Sequence, residues 1–142
     1  MARHIGISGA SAEGAALCYR TICVESADVM GRHTHPEITL HTFALHDYLR
    51  FILTGDWQAV SRLMLASMDK LAAAGADFII IPDNTVHSVF DQVSALSPLP
   101  VINTVETVIE EAITLEYCKP GLLGTRRLTE GPVYVSRLRE IG

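Results

Sequence analysis

Short apolar runs alternate along the chain with longer stretches of helical periodicity. Residues 4–8 (HIGIS), 78–81 (FIII), 101–102 (VI) and 121–124 (GLLG) read as strands, as do residues 37–43. In the last of these the alternation has a period of two, with Ile38, Leu40 and Thr42 on one face and Thr39, His41 and Phe43 on the other. Between the strands lie helical patterns. Residues 12–26 present Leu17, Cys18 and Ile22 as an inner face, and residues 45–53 form a short helix stopped by Thr54-Gly55. Asp56 caps a longer helix whose stripe is Trp57, Val60, Met64, Met68 and Leu71, and Gly75 ends it. Residues 86–95 predict another helix. Asn103 and Glu106, spaced as a capping box, open one with Val105, Val108, Ile109, Ala112 and Ile113 turned inward. A final helix runs from about Thr129 or Val133 to Glu140.

The predicted order is β-α-β-α-α-β-α-β-α-β-α. Such alternation belongs to the α/β class: a three-layer, mostly parallel sheet with helices on both faces. Right-handed crossovers put every strand's carboxyl end on the same rim. Three turns meet there, residues 8–11, 83–85 and 125–127. Their convergence is the physical reason to expect one site.

Composition narrows the partners. The chain has 142 residues, 49% of them hydrophobic, and a net charge of −5 without any run of Lys or Arg. One packed domain's worth of core is expected, and nucleic acid and anionic membrane surfaces are poor partners. No apolar run approaches the roughly 20 residues of a membrane span. Cys18, Cys23 and Cys118 form no metal or redox motif, which suits a reducing cytoplasm and structural thiols.

The candidate chemistry lies in the turns. Ser8, Gly9 and Ser11 make a small-residue turn before a helix, either a tight βα connection or a cradle for an anion at free amides. Asp83, Asn84 and Thr85 follow the central strand at once, where they serve either as a site or as a helix N-cap. Thr125 and Arg126 occupy the equivalent place further on. His33 and His35, with His41 and His46, raise a zinc reading, but no third ligand falls at a diagnostic spacing, so no metal site is expected.

These turns, in this order, resemble the aspartate/glutamate racemase superfamily. IGISGASAEGAALCYRTI resembles its first βα unit, GADFIIIPDNTVH its Pro-Cys-Asn-Thr…His motif, and LLGTRRLTEGPVY the start of its second half. The resemblance implies two similar α/β lobes with the substrate between them. Residues 1–103 would form the first lobe, and residues 104–142 would begin a second that the chain leaves incomplete. It implies proton transfer at the alpha carbon of an acidic amino acid or related carboxylate, with no cofactor and commonly in a homodimer. Asn84 and Thr85 would hold the alpha-carboxylate with Thr125 from the second lobe. His87 and the loop carrying His35 would read a distal acidic group.

The chain departs from the pattern at Asp83, where typical members carry one of two catalytic cysteines. As a side-chain type, a carboxylate is a weaker base in water than a thiolate by about 4.6 pKa units. The second cysteine motif, Gly-Cys-Thr, is absent. Three alternatives follow: a non-catalytic carboxylate-binding module of the same fold, a single-cysteine decarboxylase-like relative, and a metal-dependent hydrolase using His33 and His35, with Asp83 and His87 as further candidate ligands.

Overall fold

A computed structural model describes the backbone of residues 2–141 and the side chains of residues 2–138. In chain order the elements are β1 (Ile5–Gly9), α1 (Ala12–Met30), β2 (Ile38–Thr42), α2 (Leu45–Thr54), α3 (Trp57–Ala73), β3 (Phe78–Ile80), a 3-10 turn (Thr85–Val89), α4 (Phe90–Leu96), β4 (Val101–Ile102), α5 (Thr104–Thr114), α6 (Arg126–Thr129) and α7 (Pro132–Ile141). The strands form one four-stranded sheet in the order β2-β1-β3-β4. Every pairing is parallel, with Ile7 opposite Leu40 on one side and Ile80 on the other. The α/β class with helices on both faces of a parallel sheet is the architecture found.

Strand alternation decides which side chain meets which helix. Ser8 and His41 both reach Ser67 of α3, so they lie on the α3 face. A Cβ on Gly9 would sit 2.7 Å from Ala15 of α1 and 2.9 Å from Thr42, on the opposite face. Gly9 is therefore required for the close approach of α1 to the sheet. The main core lies on the α3 side. Val60, Met64, Met68 and Leu71 pack there with Ile79, Ile81, Val86 and Val93, all close to fully buried. This is the stripe read from the three-to-four-residue spacing, with Trp57 half-buried at its edge. The Asp56 carboxylate accepts from the Ala59 amide at 2.9 Å, and Gly75 stops the helix at a φ of +89°.

Several expectations are corrected. Residues 121–124 form no strand, so the sheet is four-stranded and the chain ends in a run of helices. An apolar pair between glycines becomes a strand only where a sheet edge pairs with it, and no edge does so here. Helix α1 runs on to Met30, and Leu17, expected inside, is 63% exposed. Ala15 is its one fully buried residue among those described. Residues 86–95 divide into the 3-10 turn and α4. In α5, Val105 and Ile109 are buried while Val108 and Ile113 are more than half exposed, because only one narrow side of this helix meets α7.

Candidate active site

The chain leaves β1 toward β2 and leaves β3 toward β4, so the turns after β1 and β3 diverge. A parallel sheet opens its crevice at such a switch point. Here that crevice is a cleft of about 440 Å³. Ala10 and Ser11 come from the first turn, Asp83, Asn84 and Thr85 from the second, and Thr125, Arg126 and Arg127 from the start of α6. The remaining wall is α2, which contributes Leu45, Tyr48, Leu49, Ile52 and Leu53.

Asp83 spans the crevice. One carboxylate oxygen accepts from the Ala10 amide at 2.7 Å. The other accepts from the Ser11 amide at 3.1 Å and from the Ser11 hydroxyl. That hydroxyl in turn accepts from the Gly14 amide at 3.1 Å, which makes Ser11 the N-cap of α1. An ionised carboxylate offers about four lone-pair sites, so roughly one remains open. The anion expected near the start of α1 is thus the protein's own. Asp83 caps the turn across the sheet and leaves the helix behind it uncapped: Asn84, at the N-cap of the 3-10 turn, makes no side-chain cap. Gly14 belongs to this arrangement, since a Cβ there would stand 3.2 Å from the Asp83 carboxylate.

The other expected residues divide. Ser11, Asp83, Asn84, Thr85, Thr125 and Arg126 are brought together in the cleft. Ser8 turns away from it, and its buried hydroxyl donates to Ser67 at 3.0 Å. Gly9 serves the packing of α1. His87 lies behind the second turn. Its Nδ1–H donates to the Asp83 carbonyl at 3.0 Å, and Nε2 meets the Thr104 hydroxyl at 3.1 Å. The ring is buried and stacks on Phe90, and burial lowers its pKa below the usual histidine value against the partly offsetting effect of Asp83. His35 precedes β2, at the end of the sheet opposite the cleft, and its ring bonds the Pro36 carbonyl. Thr125 caps α6 through Leu128. Arg126 pairs with Glu130 at 2.8 Å on an open surface. Among the described residues, no group of three or more His, Cys, Asp or Glu is placed to hold a metal ion. No helix among them is long and apolar enough to cross a membrane.

Two tyrosines escaped the sequence reading. Tyr48 lines the cleft, and burial, followed by the charge of Asp83, pushes its hydroxyl up to about 12, so it stays protonated. Its spacing from Leu45 and Ile52 is that of an ordinary inward stripe, and only the seating of α2 over the crevice distinguishes it. Tyr134 of α7 donates to the Asn84 side-chain oxygen at 2.8 Å. A partner 50 positions away leaves no local signal.

The Asp/Glu/Hydantoin racemase family model matches residues 7–142. A Yersinia pestis protein classed with the Asp/Glu racemases superposes with a TM-score of 0.89 at 29% identity, over 99% of this chain and 61% of its own. An aspartate racemase homologue from Pyrococcus horikoshii OT3 gives 0.84 at 25% identity, over 99% and 62%. The Picrophilus torridus aspartate racemase shares the fold, at 0.70 and 18% identity over 98% and 59%. The chain therefore spans about three fifths of the length of these relatives.

Proposed function

Since the chain belongs to the Asp/Glu/Hydantoin racemase family, we propose that its cleft binds an amino acid or related small carboxylate and moves the proton on the alpha carbon. The observation that carries this reading is the meeting of three separate turns, residues 10–11, 83–85 and 125–127, in one cleft at the switch point. Asn84, Thr85 and Thr125 offer neutral donors for the alpha-carboxylate. Arg127, whose guanidinium donates to the Leu53 carbonyl at 3.5 Å, adds positive charge at its rim, while the Arg126 charge is paired with Glu130. Their role is electrostatic. When the alpha proton leaves, its electron pair spreads into the carboxylate, and donors aimed there stabilise that charge. Asp83 takes the proton on the lone pair left free by Ala10 and Ser11. Tyr48, protonated, is a further donor in the same space.

The proposal includes work without a cofactor, a cytoplasmic setting, a homodimer, and a division into a first lobe at residues 1–103 and a second beginning at 104. For the dimer, the support is apolar surface: Leu123 is 92% exposed and Leu138 is 36% exposed. Sedimentation returning one monodisperse monomer would count against it.

The activity is tested by proton NMR of aspartate and glutamate, both enantiomers, in deuterated buffer. Loss of the alpha-proton signal is expected with the wild-type chain and no added cofactor. Asp83→Asn keeps the shape and one accepting oxygen, sets its NH2 against a backbone donor in place of the other, and removes the base, so it should reduce exchange at least about 100-fold. Asp83→Cys should retain or raise it. Undiminished exchange in Asp83→Asn would leave Asp83 a structural strap.

A further inference from the structure

We propose that Tyr134 is a positioning residue for the cleft: from behind, it fixes the Asn84 side chain so that the amide nitrogen, rather than the oxygen, is presented to the bound carboxylate. This rests on the reading of Asn84 as a carboxylate donor.

An asparagine amide has two ends of opposite character, an oxygen that only accepts and an NH2 that only donates. Facing a carboxylate, the nitrogen end attracts and the oxygen end repels. A free Asn side chain exchanges the two ends by rotation, so a cleft that depends on the nitrogen end needs something to hold the oxygen away. The Tyr134 hydroxyl does this by donating to Asn84 Oδ1 at 2.8 Å. Asn84 lines the cleft and Tyr134 does not. The hydroxyl therefore acts on the far end of the amide without entering the cleft.

The donor is itself well held. Tyr134 is 7% exposed and packs with Val105, Ile109 and Leu128 between α5, α6 and α7. Burial raises its pKa, so the hydroxyl keeps its proton throughout the neutral range. The contact also links the helical segment after β4 to the turn after β3. His87 fixes the same turn separately, through the Asp83 carbonyl. Backbone and side chain of residues 83–84 are thus each tied by a separate buried ring.

Tyr134→Phe removes the donor and keeps the ring, so the variant is expected to fold. With aspartate as the probe, the KM for deuterium exchange should rise about tenfold while kcat changes less than about threefold. Asn84→Ala should raise KM at least as much, and Tyr134→Phe added to Asn84→Ala should do nothing more. Effects that multiply in the double variant would overturn the proposal, because the tyrosine would then act independently of Asn84. A second readout needs no activity. In 1H-15N spectra of the free protein, the side-chain NH2 pair of Asn84, assigned by its absence in Asn84→Ala, should shift and broaden in Tyr134→Phe. An unchanged pair would also overturn the proposal. A wild-type chain without exchange activity, whose Asn84 pair still responds to Tyr134→Phe, would sink the racemase reading and uphold the coupling.

Discussion

The sheet region and the helical segment after it are built on different scales. Up to β4, long-range order comes from a core in which Val60, Met64, Met68, Leu71 and Ile79 have essentially no exposed surface. From Thr104 onward, the second cluster among the described residues has Val105, Ile109, Leu128 and Tyr134 as buried members, with Leu122 and Val133 beside them. The first region can position a turn because β1 and β3, the strands that carry the turns, are each paired on both sides. The second is attached by a few specific contacts, Tyr134 to Asn84 and Thr104 to His87 among them. The cleft sits at this boundary. One wall is carried by the buried sheet and should open only with the whole fold, while the other should open at a lower free energy.

Truncating the two cores makes this difference measurable. Leu71→Ala, at a fully buried position facing the sheet, should cost about 3–4 kcal/mol and move the denaturation midpoint seen by every probe. Ile109→Ala should cost no more than about 2 kcal/mol, at the low end for such truncations. It should appear first as faster amide exchange in α5 and α7, with β1 and β3 still protected. Equal loss of protection in both regions would mean that they form a single cooperative unit.

A smaller effect tests how tightly α1 is set on the sheet. Gly9→Ala would place a methyl 2.7 Å from Ala15 and 2.9 Å from Thr42. Neither neighbour is the end of a flexible chain, so the variant should lose about 1–3 kcal/mol by overpacking. It should also disturb the Ala10 and Ser11 amides that hold Asp83, so reduced exchange activity should accompany reduced stability.

The smallest expected effect concerns pH. Burial lowers the folded-state pKa of His87, and burial followed by Lys70 lowers that of His41. Below about pH 6.5 the unfolded chain takes up these protons while the folded chain resists them. Stability is therefore greatest above that value and falls as the pH drops toward the folded-state pKa values. His87→Gln should flatten the fall only in part, because His41 contributes in the same direction. Urea midpoints at pH 7.5 and pH 5 would show it, and a fall of unchanged steepness in the variant would assign the dependence elsewhere.

Much of the site could be read in advance where the signal was local. The apolar run ending at Pro82 marked the central strand, and the polar residues directly behind it had to lie on its carboxyl rim. The spacing of Val60, Met64, Met68 and Leu71 marked the helix beneath. Thr125 was found in the same way, although the strand assumed before it does not form. The partners of these residues could not be read. Asp83 was weighed as a site residue or a cap of its own helix, but it bonds the turn after β1, more than 70 positions earlier.

The sequence by itself thus determined the α/β alternation, the main buried stripe and the rim on which the chemistry had to lie, because each depends on neighbours a few residues apart. Only the tertiary structure decided what those rim residues face: Asp83 on Ala10 and Ser11, Asn84 on Tyr134, His87 turned from the cleft and Tyr48 lining it. Periodicity reports which side of an element is buried. The direction of a hydrogen bond depends on which distant element the fold brings against it.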